Sequence, residues 1–168
     1  MADNSFIGNK VLVFGDLHFS STFTGKHKNY TEECYYNMIK IRQIVEKEKP
    51  SAVFFAGDIN GVNEQNVSDR QFLMRELQWL DHINKLTKGH VYSVKGNHDF
   101  GTFSDFDFLV GLGYIKNPKH VDMYYKDLST GENSLQTRFH LVKYGHETDK
   151  LAPLAKSKIP DACDIVLG

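Results

Sequence analysis

The stretch VYSVKGNHD, residues 91–99, joins an apolar run to a glycine that is followed by an amide, an imidazole and a carboxylate. Short apolar runs bounded by glycine are typical of buried strands. Two similar junctions lie upstream, at VLVFGDLH, residues 11–18, and AVFFAGDIN, residues 52–60. The sequence therefore predicts three strands that each end in glycine and are followed by side chains able to bind metal.

Length and composition indicate one globular domain. The chain has 168 residues, 40% of them hydrophobic and 24% charged, which is enough for a real core. A formal net charge of −1 gives no overall field favouring nucleic acid or an acidic membrane. Cys34 and Cys163 stand far apart, which argues against a disulfide framework or a thiolate zinc site. We expect a reducing, cytoplasmic setting with no signal peptide and no membrane span.

The segment between the first two junctions predicts a helix. It is expected to begin near Asn29 or Thr31, where a capping side chain precedes Glu32 and Glu33, and to end at Pro50. One apolar face follows the helical period, formed by Cys34, Met38, Ile41 and Val45.

A second helix is predicted between the second and third junctions. The sequence SDRQ, residues 68–71, has the form of a capping box. The apolar face of this helix is expected to hold Leu73, Leu77 and Leu80, widened by Trp79, Ile83 and Leu86. Strands that alternate with helices in this way favour a parallel sheet with right-handed crossovers.

The rest of the chain predicts shorter elements. Residues 1–9 are expected to form a frayed lead-in. The later elements are a helical turn over 104–112, strands over 121–127 and 137–144 with a hairpin turn at 130–133, a short helix over 149–157 and a buried strand over 163–167. Four phenylalanines are expected to pack in the core beneath the sheet: Phe100, Phe103, Phe106 and Phe108.

The three junctions together predict a metal site. Asp16 and His18 are two residues apart, so in an extended strand end their side chains point the same way. Parallel neighbouring strands bring Asp58 and Asn97 to the same edge, where open α/β sheets bind ligands. Each motif alone is more often a turn or a capped loop, but three in order favour a metal site. Carboxylate, imidazole and amide groups suit manganese, iron or zinc.

These motifs resemble the first three signature motifs of the calcineurin-like metallophosphoesterases. The matching residues are Asp16-Leu17-His18, Gly57-Asp58 and Gly96-Asn97-His98-Asp99, and the resemblance runs from about Lys10 to Gly168. It implies an α/β fold of the four-layer α+β type, a β-sandwich flanked by helices. The implied activity is two-metal hydrolysis of phosphate esters.

The resemblance also implies a role for each site residue. Asp16 and His18 are expected to hold the first metal ion, and Asp58 to bridge both ions. Asn97 is expected to bind the second ion, and His98 to protonate the leaving oxygen or to steady the phosphoryl group. The expected cofactor is a pair of divalent ions, Mn²⁺ first, with Fe, Zn, Ni and Mg as alternatives.

The family normally supplies further histidines from two later motifs. The only Gly-His in this chain is Gly145-His146. Either His146 is the ligand of the fourth motif, or residues 139–144 form an ordinary sandwich strand and His146 lies in a loop. We favour the second alternative, because residues 164–168 resemble the strand that precedes the fourth motif. The expectation is a single metallophosphoesterase domain over 1–168, shortened at its C-terminal end.

Within the family, the motifs look closest to the SbcD-type DNA repair exonucleases, including phage versions. This implies a DNA exonuclease or endonuclease with an ATPase partner subunit. Lys26, His27 and Lys28 are candidate contacts to a phosphate backbone, although a solvated loop is at least as good an interpretation. Asp99 is expected to orient His98 or to tie down its loop. The alternatives are a phosphodiesterase or phosphatase for small nucleotides, and a catalytically impaired scaffold that binds a partner.

Overall fold

The computed structural model describes residues 4–21, 29–61, 69–99, 104–142 and 163–167. The predicted helix over 149–157, the Gly145-His146 pair and the basic segment 26–28 lie outside these residues. Among the described helices, none is both long and apolar enough to span a bilayer. The elements in chain order are β1 (Ser5–Ile7), β2 (Val11–Phe14), α1 (Tyr30–Glu48), β3 (Ala52–Ala56), α2 (Arg70–Leu86), β4 (Val91–Val94), α3 (Asp105–Gly111), β5 (His120–Lys126), β6 (Asn133–Leu141) and β7 (Cys163–Leu167).

The strands form two sheets. One sheet has the order β2-β3-β4 and is parallel throughout, with Val11 opposite Ala52 and Val53 opposite Val91. This confirms the predicted alternation of parallel strands and crossover helices. The other sheet has the order β1-β5-β6-β7, in which β5 and β6 are antiparallel and both outer pairings are parallel.

Two apolar clusters lie on opposite faces of the three-stranded sheet. Helices α1, α2 and α3 all contribute to the first, which contains Val53, Phe55 and Val91. The second lies between the two sheets, where Phe54 stacks on Phe139 with ring centroids 4.5 Å apart. The predicted α/β fold with a β-sandwich flanked by helices is thus confirmed.

Helix α1 buries the predicted face and begins next to Asn29 as expected, but it lacks the predicted side-chain cap. Its buried residues are Cys34, Met38, Ile41 and Val45. Asn29 occupies the N-cap position, yet its side chain makes no capping hydrogen bond, so this part of the prediction was wrong. The helix ends at Glu48, and its C-cap Lys49 adopts the left-handed conformation before Pro50.

Helix α2 is rotated relative to the expectation. The N-cap is Asp69, whose Oδ1 accepts a hydrogen bond from Phe72 N at 2.8 Å, rather than Ser68 in a capping box. The buried face consists of Phe72, Glu76, Trp79, Leu80 and Ile83, whereas Leu73 and Leu77 are half-buried and Leu86 is exposed. The buried face of α2 therefore includes a glutamate, Glu76.

The N-terminal segment also corrects the prediction. Residues 5–7 form β1, which pairs in parallel with β5, rather than a frayed lead-in. Phe6 is 2% exposed and its ring lies against His90 and Tyr92, so burial of this one aromatic fixes the strand. Phe106 is buried as expected, but Phe108 is 46% exposed, so that prediction was wrong for Phe108. Phe100 and Phe103 lie outside the described residues.

Candidate metal centre

Three loops meet at the carboxyl edge of the three-stranded sheet because β2, β3 and β4 are parallel. The first two loops stay paired beyond their strands. His18 N donates to Asp58 O at 2.8 Å, and Phe19 N donates to Ile59 O at 2.9 Å. Gly61 N then donates to Phe19 O at 3.0 Å. This ladder holds His18 beside Asp58, although the two residues are far apart in sequence.

The backbone turns sharply at three of the predicted ligands. Asp16, His18 and Asp58 have φ values of 52°, 49° and 44°, in the left-handed region. The expectation that Asp16 and His18 are extended was therefore wrong. A residue with a Cβ atom is disfavoured there by about 1–2 kcal/mol, and such strain often marks functional sites. Here it directs side chains from tight turns rather than from strand ends.

Two glycines allow the loops to approach each other. Gly57 has φ +85°, which lets β3 turn directly into Asp58. Gly96 passes so close to Asp58 that a Cβ atom at position 96 would overlap Asp58 Oδ1 and N. The glycine in the third junction is thus required by the close approach of two loops.

Three side chains converge where these loops meet. The ligand atoms of His18, Asp58 and His98 lie within 4.8 Å of one another. The two imidazoles meet edge to face with ring centroids 4.9 Å apart. Asp58 is only 7% exposed, and its Oδ1 accepts a hydrogen bond from His98 N at 2.8 Å. The carboxylate is thereby tied to the third loop.

The donor set of this cluster fits a divalent transition metal. Imidazole and carboxylate are ligands that manganese, iron, zinc and nickel accept, whereas soft copper(I) prefers sulfur. Asp58 stands at the centre of the loops and is held in place through its own backbone and side chain. The residues present therefore match the group that the sequence motifs imply.

The predicted site residues fall into two groups. His18, Asp58 and His98 lie together, so the predicted proton donor lies beside two predicted ligands. Asp16 is exposed at the end of β2 and lies outside the three-residue group. Asn97 is exposed between Gly96 and His98 in the third loop. The roles of all five residues remain predictions.

Asp99 ties two loops together. It is fully buried, its Oδ2 accepts from Gly96 N at 3.0 Å, and its Oδ1 accepts from Asn60 N at 3.1 Å. Burial is the main cause that raises the pKa of Asp99 to about 6. Of the two roles expected for Asp99, these contacts favour tying down the loop.

Sequence reasoning missed two buried polar residues behind the site. Asn60 Nδ2 donates to Glu76 Oε1 at 2.9 Å, and both residues are at most 1% exposed. The pKa of Glu76 is raised to about 8, mainly by burial; the bond from Asn60 lowers it, and the nearby carboxylates of Asp105 and Asp99 raise it. The helical period could have indicated that Glu76 is buried, because it shares a helical face with Phe72 and Leu80.

Comparison with protein families identifies the family of this chain. The sequence model of the calcineurin-like phosphoesterase family matches residues 9–164, which include all three junctions. The chain belongs to the calcineurin-like phosphoesterase family. A search of curated proteins found no match.

Proposed function

We propose that this chain is a metal-dependent phosphodiesterase that cleaves DNA as an exonuclease or endonuclease of the SbcD type. The observation that carries the proposal is the convergence of His18, Asp58 and His98 from three separate loops. Membership of the calcineurin-like phosphoesterases supports phosphoester hydrolysis as the reaction class. The metal requirement is two divalent ions, with Mn²⁺ as the first choice.

The side chains divide the work as follows. When bound, divalent ions activate water for attack and neutralise negative charge on the phosphoryl group. The ions would be held by His18 and Asp58, with Asp16 and Asn97 completing the ligand set. His98 donates a proton to the leaving oxygen as a general acid. A neutral amide at Asn97 limits the negative charge that an incoming phosphate meets.

The choice of DNA rests on the motifs. The stretch GDING, residues 57–61, lacks the Asp-Arg-Gly of the protein serine/threonine phosphatases, while the three junctions together resemble the repair nucleases. An ATPase partner subunit and a reducing, cytoplasmic setting belong to the same proposal. Basic residues at 26–28 are the candidate backbone contacts, and binding through them would weaken steeply with salt.

A substrate panel tests the proposal. Linear DNA, bis-p-nitrophenyl phosphate, a phosphate monoester and cyclic nucleotides are each incubated with the protein and Mn²⁺. We expect cleavage of DNA and of the diester, with a loss of more than about a hundredfold in Asp58→Asn, since even indirect metal contacts are worth ten- to a hundredfold. Asp81→Asn is the matched control, because Asp81 lies on α2 in an exposed pair with Lys85.

The outcomes separate the candidate functions. Turnover restricted to the monoester or to cyclic nucleotides would indicate that the substrate is a small nucleotide and not DNA. If no ester is hydrolysed, the remaining candidate function is a scaffold that binds a partner. His98→Ala tests whether His98 is the proton donor. If it is, the variant should still bind Mn²⁺ and should lose the most activity on esters with poor leaving groups. Loss of Mn²⁺ in His98→Ala would make His98 a ligand instead.

A further inference from the structure

Glu76 is a fully buried carboxyl group behind the metal site, and the proposed mechanism does not use it. It lies on the inner face of α2, between the buried residues Phe72 and Trp79. Asn60 Nδ2 donates to Glu76 Oε1 at 2.9 Å. Asn60 follows Asp58 by two residues, so this bond joins α2 to the loop that carries the central carboxylate.

Two oxygens of this pair lack hydrogen-bond partners among the described residues: Glu76 Oε2 and Asn60 Oδ1. An ionised carboxylate and an amide oxygen both only accept hydrogen bonds, so they cannot satisfy each other. A buried polar atom left unpaired costs about 1–3 kcal/mol. A proton on Glu76 Oε2 makes that oxygen a hydrogen-bond donor. Asn60 Oδ1 is then the acceptor that this donor can satisfy.

The groups around Glu76 oppose its ionisation. Burial is the largest cause that raises its pKa, the bond from Asn60 lowers it, and the carboxylates of Asp105 on α3 and Asp99 in the loop after β4 raise it, to about 8 in all. Cys34 on α1 is a further titratable neighbour among the described residues, and its thiol has a pKa that burial also raises. The surroundings thus favour the neutral acid at physiological pH.

We propose that Glu76 is a neutral carboxylic acid that donates a hydrogen bond to Asn60 and thereby positions the loop that carries Asp58. The contacts extend further, because Asn60 N donates to Asp99 Oδ1 and Asp99 Oδ2 accepts from Gly96 N. Glu76 therefore braces two of the three loops from α2. It is a positioning residue, and only its effect on metal binding rests on the proposed function.

Metal affinity tests the bracing. Mn²⁺ binding is measured by calorimetry on the wild type, Glu76→Gln and Glu76→Leu. Glutamine has the shape of the neutral acid and donates through Nε2, so we expect it to bind as the wild type does. Leucine leaves Asn60 unpaired, and we expect about tenfold weaker binding, as for other partners that support ligands indirectly. Glu132→Leu, in the exposed turn before β6, is the control.

Binding by Glu76→Leu as tight as the wild type would overturn the positioning role. Equal weakening in Glu76→Gln and Glu76→Leu would do the same, because it would show that the neutral donor is not what the site needs. Rescue by glutamine alone supports the proposal.

Infrared spectroscopy tests the proton without metal or substrate. With ¹³C-labelled glutamate, the wild type at neutral pH should show the carbonyl band of a protonated acid that Glu76→Gln lacks. An ionised Glu76, with water between it and Asn60, would give no such band and would overturn the proposal even if the leucine variant does not fold. A wild type that shows the band but hydrolyses no ester would refute the proposed function alone.

Discussion

Gly96 is the residue at which the loop after β4 crosses Asp58. A methyl group there would overlap Asp58 Oδ1 and N, so we expect Gly96→Ala to displace the carboxylate and to destabilise the fold by about 1–3 kcal/mol, as overpacking does. Urea unfolding and Mn²⁺ binding measure the two effects. Gly111→Ala is the control, because a Cβ atom at Gly111 meets nothing within 4 Å. Unchanged metal binding in Gly96→Ala would contradict the close approach.

The raised pKa of Glu76 predicts a pH dependence of stability. In the native state this group keeps its proton to about pH 8, whereas the unfolded chain loses it near the ordinary value of 4.5. Between these values the native state binds more protons, so its stability falls as the pH rises. Relative to Glu76→Gln, the wild type should lose about 1.4 kcal/mol per pH unit in this window.

Urea unfolding at several pH values measures this difference. Taking the wild type relative to Glu76→Gln cancels the titration of the other groups, because the two proteins differ at one side chain. If the free energies of unfolding of the two proteins differ by a constant amount between about pH 5 and pH 8, Glu76 titrates in the native state as it does in the unfolded chain.

For single residues, the sequence predicted which side chains lie in the site better than it predicted their backbone conformation. His18, Asp58 and His98 could be selected because each follows an apolar run and a glycine. The left-handed turns at Asp16 and His18 could not, since the pattern of side chains does not encode the sign of φ. Glu76 was missed because a glutamate on a helix is usually solvated.

Among the elements, β1 is the one that the sequence did not reveal. Three residues are too few for an alternating pattern, and the strand exists because Phe6 packs between the sheets while its backbone pairs with β5. The helices and the strands of the parallel sheet were predictable because their patterns are longer. Helix α2 differed in its rotation, because Glu76 lies on its buried face while Leu73 and Leu77 are only half-buried.

Phe6→Ala tests the packing of β1. The ring is 2% exposed, so its removal should cost about 3–5 kcal/mol in the free energy of unfolding. Ile7→Ala is the matched control, because Ile7 is the next residue of the same strand and is 44% exposed; its cost should stay within about 1 kcal/mol. Urea denaturation compares the two. Equal costs would mean that β1 does not pack as described.

For the whole molecule, the parallel sheet explains why residues remote in sequence share a site. Loops after β2, β3 and β4 open at one edge, and backbone bonds between residues 18–19 and 58–61 hold the first two together. Asp58 and Asp99 then connect the second loop to the third. This convergence could be predicted from strand order alone. The bracing from α2 could not, because it depends on which face of the helix is buried.

Anomalous diffraction from a manganese-loaded crystal tests the convergence most directly. We expect a peak bonded to the carboxylate of Asp58 and to an imidazole nitrogen of His18, at the edge where the three loops meet. A protein that crystallises with Mn²⁺ bound elsewhere, or with His18 and Asp58 too far apart to share an ion, would contradict the convergence of the three loops on one metal site.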